Sequence, residues 1–332
     1  MIKSKLTILE LTAGILAGDI SILSRAITLI ESKKEEDAIL ASQLITNILS
    51  FSGKSVRLGI TGAPGVGKST FIDRFGAFLI SKGKKVAVLA IDPTSKISGG
   101  SILGDKTRME KLLGQKNAFI RPSPAGIELG GVAQTTLESI LLCEAAGFDF
   151  ILIETVGVGQ SEIMVKEITD FFIFLTISGG GDELQGIKRG IMEMVDLVVI
   201  NKSDQIEKNV LKNLINNLNF ALHLFPKKES DIQVSVLPCS ALNENGFDEI
   251  FNTISNYQII TLKSNYFSEN RKLQNVSWMN RILEKKILNY FNSNLIYKTQ
   301  ILKAEKEILE NKNSPIIAAK EIFEIVIKKM VG

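Results

Sequence analysis

The sequence has 332 residues, 45% of them hydrophobic and 23% charged, with a net charge of +3. Such a length supports two or three folding units and a sizeable core, while the small charge supplies no basic field of the kind nucleic acid demands. Two cysteines, Cys143 and Cys239, both in apolar surroundings, rule out a disulfide framework and suggest buried thiols in a reducing compartment.

The N-terminal run MIKSKLTILELTAGILAGDISIL is interrupted by Glu10 and Asp19 and has no small-residue cleavage site, which argues against a signal peptide. No segment reaches the ~18–20 consecutive apolar residues that a spanning helix needs. A cytoplasmic protein without membrane association is therefore expected. Residues 1–52 read as a helical segment. Asp19 is placed to cap a helix carrying Ile22, Leu23, Ala26, Ile27 and Ile30; a second helix carries Ile39, Leu40, Leu44, Ile48 and Leu49 and is broken by Gly53.

From 53 to 262, short Val- and Ile-rich runs alternate with helical segments. The runs are VRLGIT (56–61), VAVLAID (86–92), AFIRP (118–122), FDFILIET (148–155), FFIFLTI (171–177), DLVVIN (196–201) and IQVSVLP (232–238). They show little polar alternation, as strands buried on both faces do, so a mainly parallel, doubly wound α/β sheet is predicted. Ligands of such sheets bind beyond the carboxyl ends of the strands.

The first strand runs into Gly62-Ala63-Pro64-Gly65-Val66-Gly67-Lys68-Ser69, followed by Thr70. This is a G-x-x-x-x-G-K-S phosphate loop in its required strand–helix setting. The glycines let backbone N–H groups wrap a phosphate, and the helix N-terminus adds partial positive charge. Lys68 would reach the outer phosphates and Ser69 would give its hydroxyl to Mg²⁺. Mg²⁺ favours oxygen ligands and keeps several waters, so one or two carboxylates complete its site. Asp92 ends the second strand, Glu154 ends the fourth and Asp105 lies in the loop GGSILGDKTR. Their bland alternatives are a helix cap, a structural acid and a solvated loop residue respectively. Gly157, three residues after Glu154, is placed to turn its N–H toward a γ-phosphate.

After DLVVIN comes Asn201-Lys202-Ser203-Asp204. Guanine presents two adjacent donors, and a carboxylate at Asp204 accepts both, whereas adenine has an unprotonated ring nitrogen there. Lys202 can lay its stem over the base. Past the seventh run, Ser240, Ala241 and Leu242 can offer a backbone N–H to the guanine oxygen. The substrate reading is GTP.

Residues 263–332 are again helical. Leu295, Leu302 and Leu309 recur every seven residues, Ser314-Pro315 resembles a helix start, and Trp278 is a packing anchor or a dimer contact. His223 is the sole histidine, which disfavours a metal-insertion GTPase built on His or Cys clusters. Seven scattered methionines disfavour a signal-recognition GTPase.

GAPGVGKST, AIDPTS, GGSILGDKTRM, CEAAGFDFILIETVGVGQSE, GGGDELQGIKRGIMEMVDLVVINKSD and CSAL together resemble the MeaB/ArgK GTPases, over roughly residues 10–260. The resemblance implies a SIMIBI-class, Mg²⁺-dependent GTPase chaperone that attends adenosylcobalamin-dependent acyl-CoA mutases such as methylmalonyl-CoA mutase. It also implies homodimerisation through 263–332, switch segments near 92–108 and 154–162, and a further one near 179–190. Lys188 in that last segment aligns with a lysine that assists hydrolysis, joining Lys68 and Glu154 as catalytic candidates. The ArgK name reflects an alternative, a kinase acting on amino-acid transport proteins. Thr94 to Ser98, Ile127, Gln134, Thr135 and Leu137 depart from the family pattern around the first switch. Val158 follows Gly157 where a catalytic glutamine would stand, and Gln160 comes later, so slow intrinsic hydrolysis is expected.

Overall fold

The computed structural model describes residues 6–32, 34–92, 109–124, 129–155, 161–178 and 189–331. The chain separates into two compact units, Met1–Gln274 and Asn275–Gly332. Among the described residues no helix is long and apolar enough to cross a membrane.

The first unit is built on a seven-stranded, all-parallel sheet: β1 (Val56–Gly62), β2 (Val86–Asp92), β3 (Ala118–Pro124), β4 (Phe150–Glu154), β5 (Phe171–Thr176), β6 (Leu197–Ile200) and β7 (Ser235–Pro238). Their order is β3-β2-β4-β1-β5-β6-β7, a doubly wound arrangement whose reversal lies beside β1. The register pairs Ile60 with Glu154 on one side of β1 and Gly62 with Leu175 on the other. That alignment brings the ends of β1, β4 and β5 level.

The β1 side chains alternate between two layers, as strand geometry requires. Val56, Leu58 and Ile60 join a core with Phe71 and Phe75 of α4 (Lys68–Ser81) and Phe247, Ile250 and Ile254 of α9 (Phe247–Lys263). Arg57, Gly59 and Thr61 face the other layer, where α5 (Leu129–Ala145) and the short α6 (Ser161–Lys166) lie. Further helices are α7 (Arg189–Met194) and α8 (Lys208–His223).

Three N-terminal helices, α1 (Ile8–Leu16), α2 (Ile20–Ile30) and α3 (Glu35–Ile48), pack on one another and on α5. Asp19 caps α2 by accepting from the Ser21 and Ile22 amides, and Leu23, Ala26, Ile27 and Ile30 are buried. Helix α1 is additional to the two helices expected here. Its Thr7–Glu10 capping box satisfies the Thr7 and Glu10 amides reciprocally. In α3 only part of the expected apolar face is covered: Leu44 and Ile48 are buried, whereas Ile39 and Leu49 are exposed.

Helix α10 (Tyr266–Ser293) begins in the first unit. In the second unit, α11 (Leu295–Leu309) packs against α12 (Pro315–Val331). Pro315 is the first helical residue, where its missing N–H costs nothing. Leu302 and Leu309 are exposed, and Trp278 is buried.

Candidate nucleotide site

The phosphate loop lies between β1 and α4, beside the point where the strand order reverses. Gly67, immediately before α4, has φ +92°, and a Cβ there would come within 2.7 Å of Asn201 Nδ2. Only glycine suits both the backbone and the space.

Lys68 is buried at the start of α4, and its Nζ donates to the carbonyls of Gly62 at 2.8 Å and Ala63 at 3.2 Å. Burial pushes its pKa below the ordinary lysine value, opposed by the charges of Glu154 and Glu162. Beside it, Ser69 Oγ donates to Glu154 Oε1 at 3.1 Å. The β1–β4 register is the reason: Glu154 sits opposite Ile60, at the mouth of the loop. A hydroxyl and a carboxylate so placed form a hard oxygen pair suited to a small divalent cation such as Mg²⁺. Asp92 closes β2, the strand next to β4, but its side chain, like Asp105, Gly157 and Lys188, lies outside the described residues.

The Asn201–Asp204 segment is tied to the phosphate loop by two side chains, those of Asn201 and Lys202. Asn201, buried after β6, donates from Nδ2 to Val66 O at 2.8 Å and accepts at Oδ1 from the Ala241 amide at 3.0 Å. Lys202 adopts φ +55° and reaches Gly65 O at 3.0 Å through Nζ. The following turn, Ser203–Gln205, presents Asp204 to solvent. Ser203 N donates to Cys239 O at 3.0 Å, and Cys239 N donates to Ile200 O at 2.8 Å. Ser240 Oγ accepts from Asn243 N at 3.3 Å, closing the 240–245 turn in which Leu242 is exposed. Thus Gly62 to Thr70, Glu154, Asn201, Lys202, Asp204 and the 240–242 turn converge along the β4, β1, β5, β6 and β7 strand ends.

Two anchors carried no local sequence signal. Asp73, one turn after Ser69, accepts from the Lys111 and Leu112 amides at about 3 Å, fixing the 109–113 turn against α4. Glu162 is buried beside Thr61. Neither cysteine is a reactive thiol: burial raises Cys143, and burial with Asp204 and Glu249 pushes Cys239 up to about 12. His223 is exposed at the end of α8, its ring 3.3 Å from Gln233.

A glycine-rich loop between a strand and a helix, joined by Asn201 to a turn that exposes Asp204, is the arrangement the sequence led us to expect of a guanine-nucleotide site. The family model described as "Methylmalonyl Co-A mutase-associated GTPase MeaB" matches residues 23–295. The chain belongs to the MeaB family of GTPases. Among MeaB relatives it is 42% identical to GTPase ArgK of Escherichia coli (strain K12), covering 96% of this chain and 97% of that protein. It is also 42% identical to the Mus musculus protein named "Methylmalonic aciduria type A homolog, mitochondrial", covering 93% of this chain and 77% of that one. A crystal structure described as LAO/AO transport system kinase superposes with a TM-score of 0.79 at 35% identity, over 98% of this chain and 99% of that one. The MeaB family is one of P-loop GTPases, consistent with the all-parallel sheet and the loop geometry.

Proposed function

We propose that this protein binds and hydrolyses GTP with Mg²⁺ in the cleft over β1, and that its nucleotide state controls its grip on an adenosylcobalamin-dependent acyl-CoA mutase. In this reading it gates cobalamin loading and protects the mutase during turnover. The carrying observation is the double hydrogen bond of Asn201, which makes phosphate and base recognition one unit. The mutase assignment is supported by the family description and by the methylmalonic aciduria homologues.

Ser69 and Glu154 would hold the metal, with Asp92 and Asp105 as further candidates. A bound Mg²⁺ supplies charge neutralisation at the β- and γ-phosphate oxygens. Lys68 would exchange its two loop carbonyls for phosphate oxygens. The loop amides would add donors from the start of α4, and Asp204 would select guanine. Gly157 and Lys188 are proposed to act at the γ-phosphate. With no glutamine directly after Gly157, intrinsic hydrolysis is slow and a bound partner accelerates it.

A ligand shifts an equilibrium only by its differential affinity for the two states. Purified methylmalonyl-CoA mutase, titrated with the GTP-analogue and GDP forms, should therefore bind them with different affinities. Equal affinities would refute the gating role. The alternative, a kinase acting on transport proteins, is favoured by the description of the superposed crystal structure and by the ArgK name of the Escherichia coli relative. Release of inorganic phosphate, with no phosphorylated acceptor protein, separates the two.

Self-association through 263–332 is part of the proposal. Val276, Met279, Leu283, Ile287 and Tyr290 are exposed on α10 at spacings of a helical stripe. Sedimentation at micromolar concentration should give a dimer mass; a monomer with and without nucleotide would remove this element.

A further inference from the structure

A buried carboxylate, Glu162, stands near the phosphate loop, and the chemistry above makes no use of it. Glu162 is 4% exposed, on the first turn of α6. It lies over the sheet face opposite α4, where Thr61 points. Because the register sets Ile60 against Glu154, the next residues, Thr61 and Thr155, emerge side by side as the strands end. Both are at most 1% exposed. Thr155 Oγ1 donates to Thr61 Oγ1 at 2.9 Å, and Thr61 Oγ1 donates to Glu162 Oε1 at 3.4 Å.

A hydroxyl carries one hydrogen, and an ionised carboxylate only accepts. The chain of donation therefore runs one way, from Thr155 through Thr61 to Glu162. Thr155 directly follows Glu154, and Thr61 directly precedes the phosphate loop. The other end of α6 is held differently: Lys166 pairs at 2.7 Å with the buried Asp196, which also pairs with Lys228 and accepts from the Phe172 amide. Helix α6 is thus fixed at its C-terminus by the ion pair of Lys166 with the buried Asp196, and joined at its N-terminus to the two strand ends that carry the proposed metal and phosphate residues.

We propose that Glu162 is a positioning residue for GTP hydrolysis, aligning the end of β4 with the phosphate loop through the Thr61 and Thr155 hydroxyls. It acts through these groups, and through its charge on Lys68, without contacting nucleotide. The inference rests on the GTP-hydrolysis reading above. Misplacement of reacting groups by about an ångström costs up to ~10²-fold in rate, whereas ground-state phosphate and base contacts would persist.

The test is steady-state GTP hydrolysis, GDP binding and thermal unfolding of the full chain, wild type beside Glu162→Gln, Thr61→Val and Thr61→Ser. Glu162→Gln and Thr61→Val should lower kcat about tenfold or more, with KM and GDP affinity within about twofold. Thr61→Ser, which keeps the hydroxyl, should restore most of the rate. Unchanged kcat in folded variants overturns the proposal. So does a parallel loss of kcat, GDP affinity and Tm, because general loosening produces that pattern. If Glu162→Gln does not fold, the Thr61→Val and Thr61→Ser pair decides, and equal rates refute the role. If neither Glu162→Gln nor Thr61→Val folds, the network is only scaffold and the proposal falls. A wild-type protein without GTP turnover would instead sink the functional reading itself, before any variant is compared.

Discussion

Ser69 donates its hydroxyl hydrogen to Glu154 across 3.1 Å, joining the first turn of α4 to the last residue of β4. Two oxygen-bearing side chains 85 positions apart are brought together by the β1–β4 register and the helix start that follows β1. Replacing Glu154 by Gln keeps the shape and removes the charge. It should lower kcat for GTP by about 10²-fold or more and raise the Mg²⁺ concentration needed for half-maximal rate. Phosphate release measured against Mg²⁺ concentration checks both, and an unchanged metal dependence would take Glu154 out of the metal site.

Asp204 is exposed on the turn after Lys202, free to meet the edge of a purine. Exchanging it for Asn replaces one acceptor with a donor, which suits the carbonyl of xanthine better than the amine of guanine. Preference for GDP over XDP should fall by at least about 100-fold in Asp204→Asn. Competition binding reads the ratio directly. Unaltered preference would overturn the assignment of guanine recognition to this residue.

Asn201 donates to Val66 O and accepts from Ala241 N, bridging the two loops. Asn201→Ala leaves both groups without that partner, at a cost of roughly 1–3 kcal/mol each. Thermal unfolding should show the loss without ligand. GDP should then recover less stability in the variant than in the wild type, because both recognition loops have lost their common support.

Far from this cleft, Glu144 accepts from Arg57 at 2.9 and 3.0 Å, and Arg271 bonds both Asp170 and the carbonyls of Gly53 and Ser55. Burial opposes ionisation of Glu144, but the charge and hydrogen bonds of Arg57, with Arg271 and the Gly53 amide, outweigh it and hold its pKa below the ordinary 4.5. A depressed folded pKa contributes stability in full above the unfolded value and loses it as pH falls toward the folded one. The wild type should therefore lose stability progressively below about pH 4.5. Glu144→Ala, which strands the buried Arg57 guanidinium while Arg271 keeps Asp170, should cost roughly 3–5 kcal/mol at neutral pH and lack this part of the acid slope. Denaturant unfolding at pH 7 and pH 4 tests the magnitude and the sign.

The parts legible in the amino-acid sequence are those whose physics is local. Gly62 to Ser69 declares its turn because glycine and lysine are needed within eight positions, and the doubly buried strands declare themselves through unbroken Val and Ile runs. Asp204 is readable as a candidate because guanine selection would need only one acid just beyond a strand. The Thr7–Glu10 capping box is equally local, yet α1 was not among the expected helices because its apolar run lies where a leader sequence is weighed instead. Ile39 and Leu49 fitted the helical period of α3 but are exposed, since periodicity marks a possible face and neighbouring elements choose how much of it to cover.

Only the tertiary structure decided that Thr61 and Thr155 would touch, that Asn201 would hold the Val66 carbonyl, and that Arg271 would reach Asp170 from 101 positions away. Strand order and register set these meetings, and neither is written in any short window of sequence. Local chemistry pointed to the nucleotide; long-range packing decided which buried groups stand beside the loop proposed to hold it.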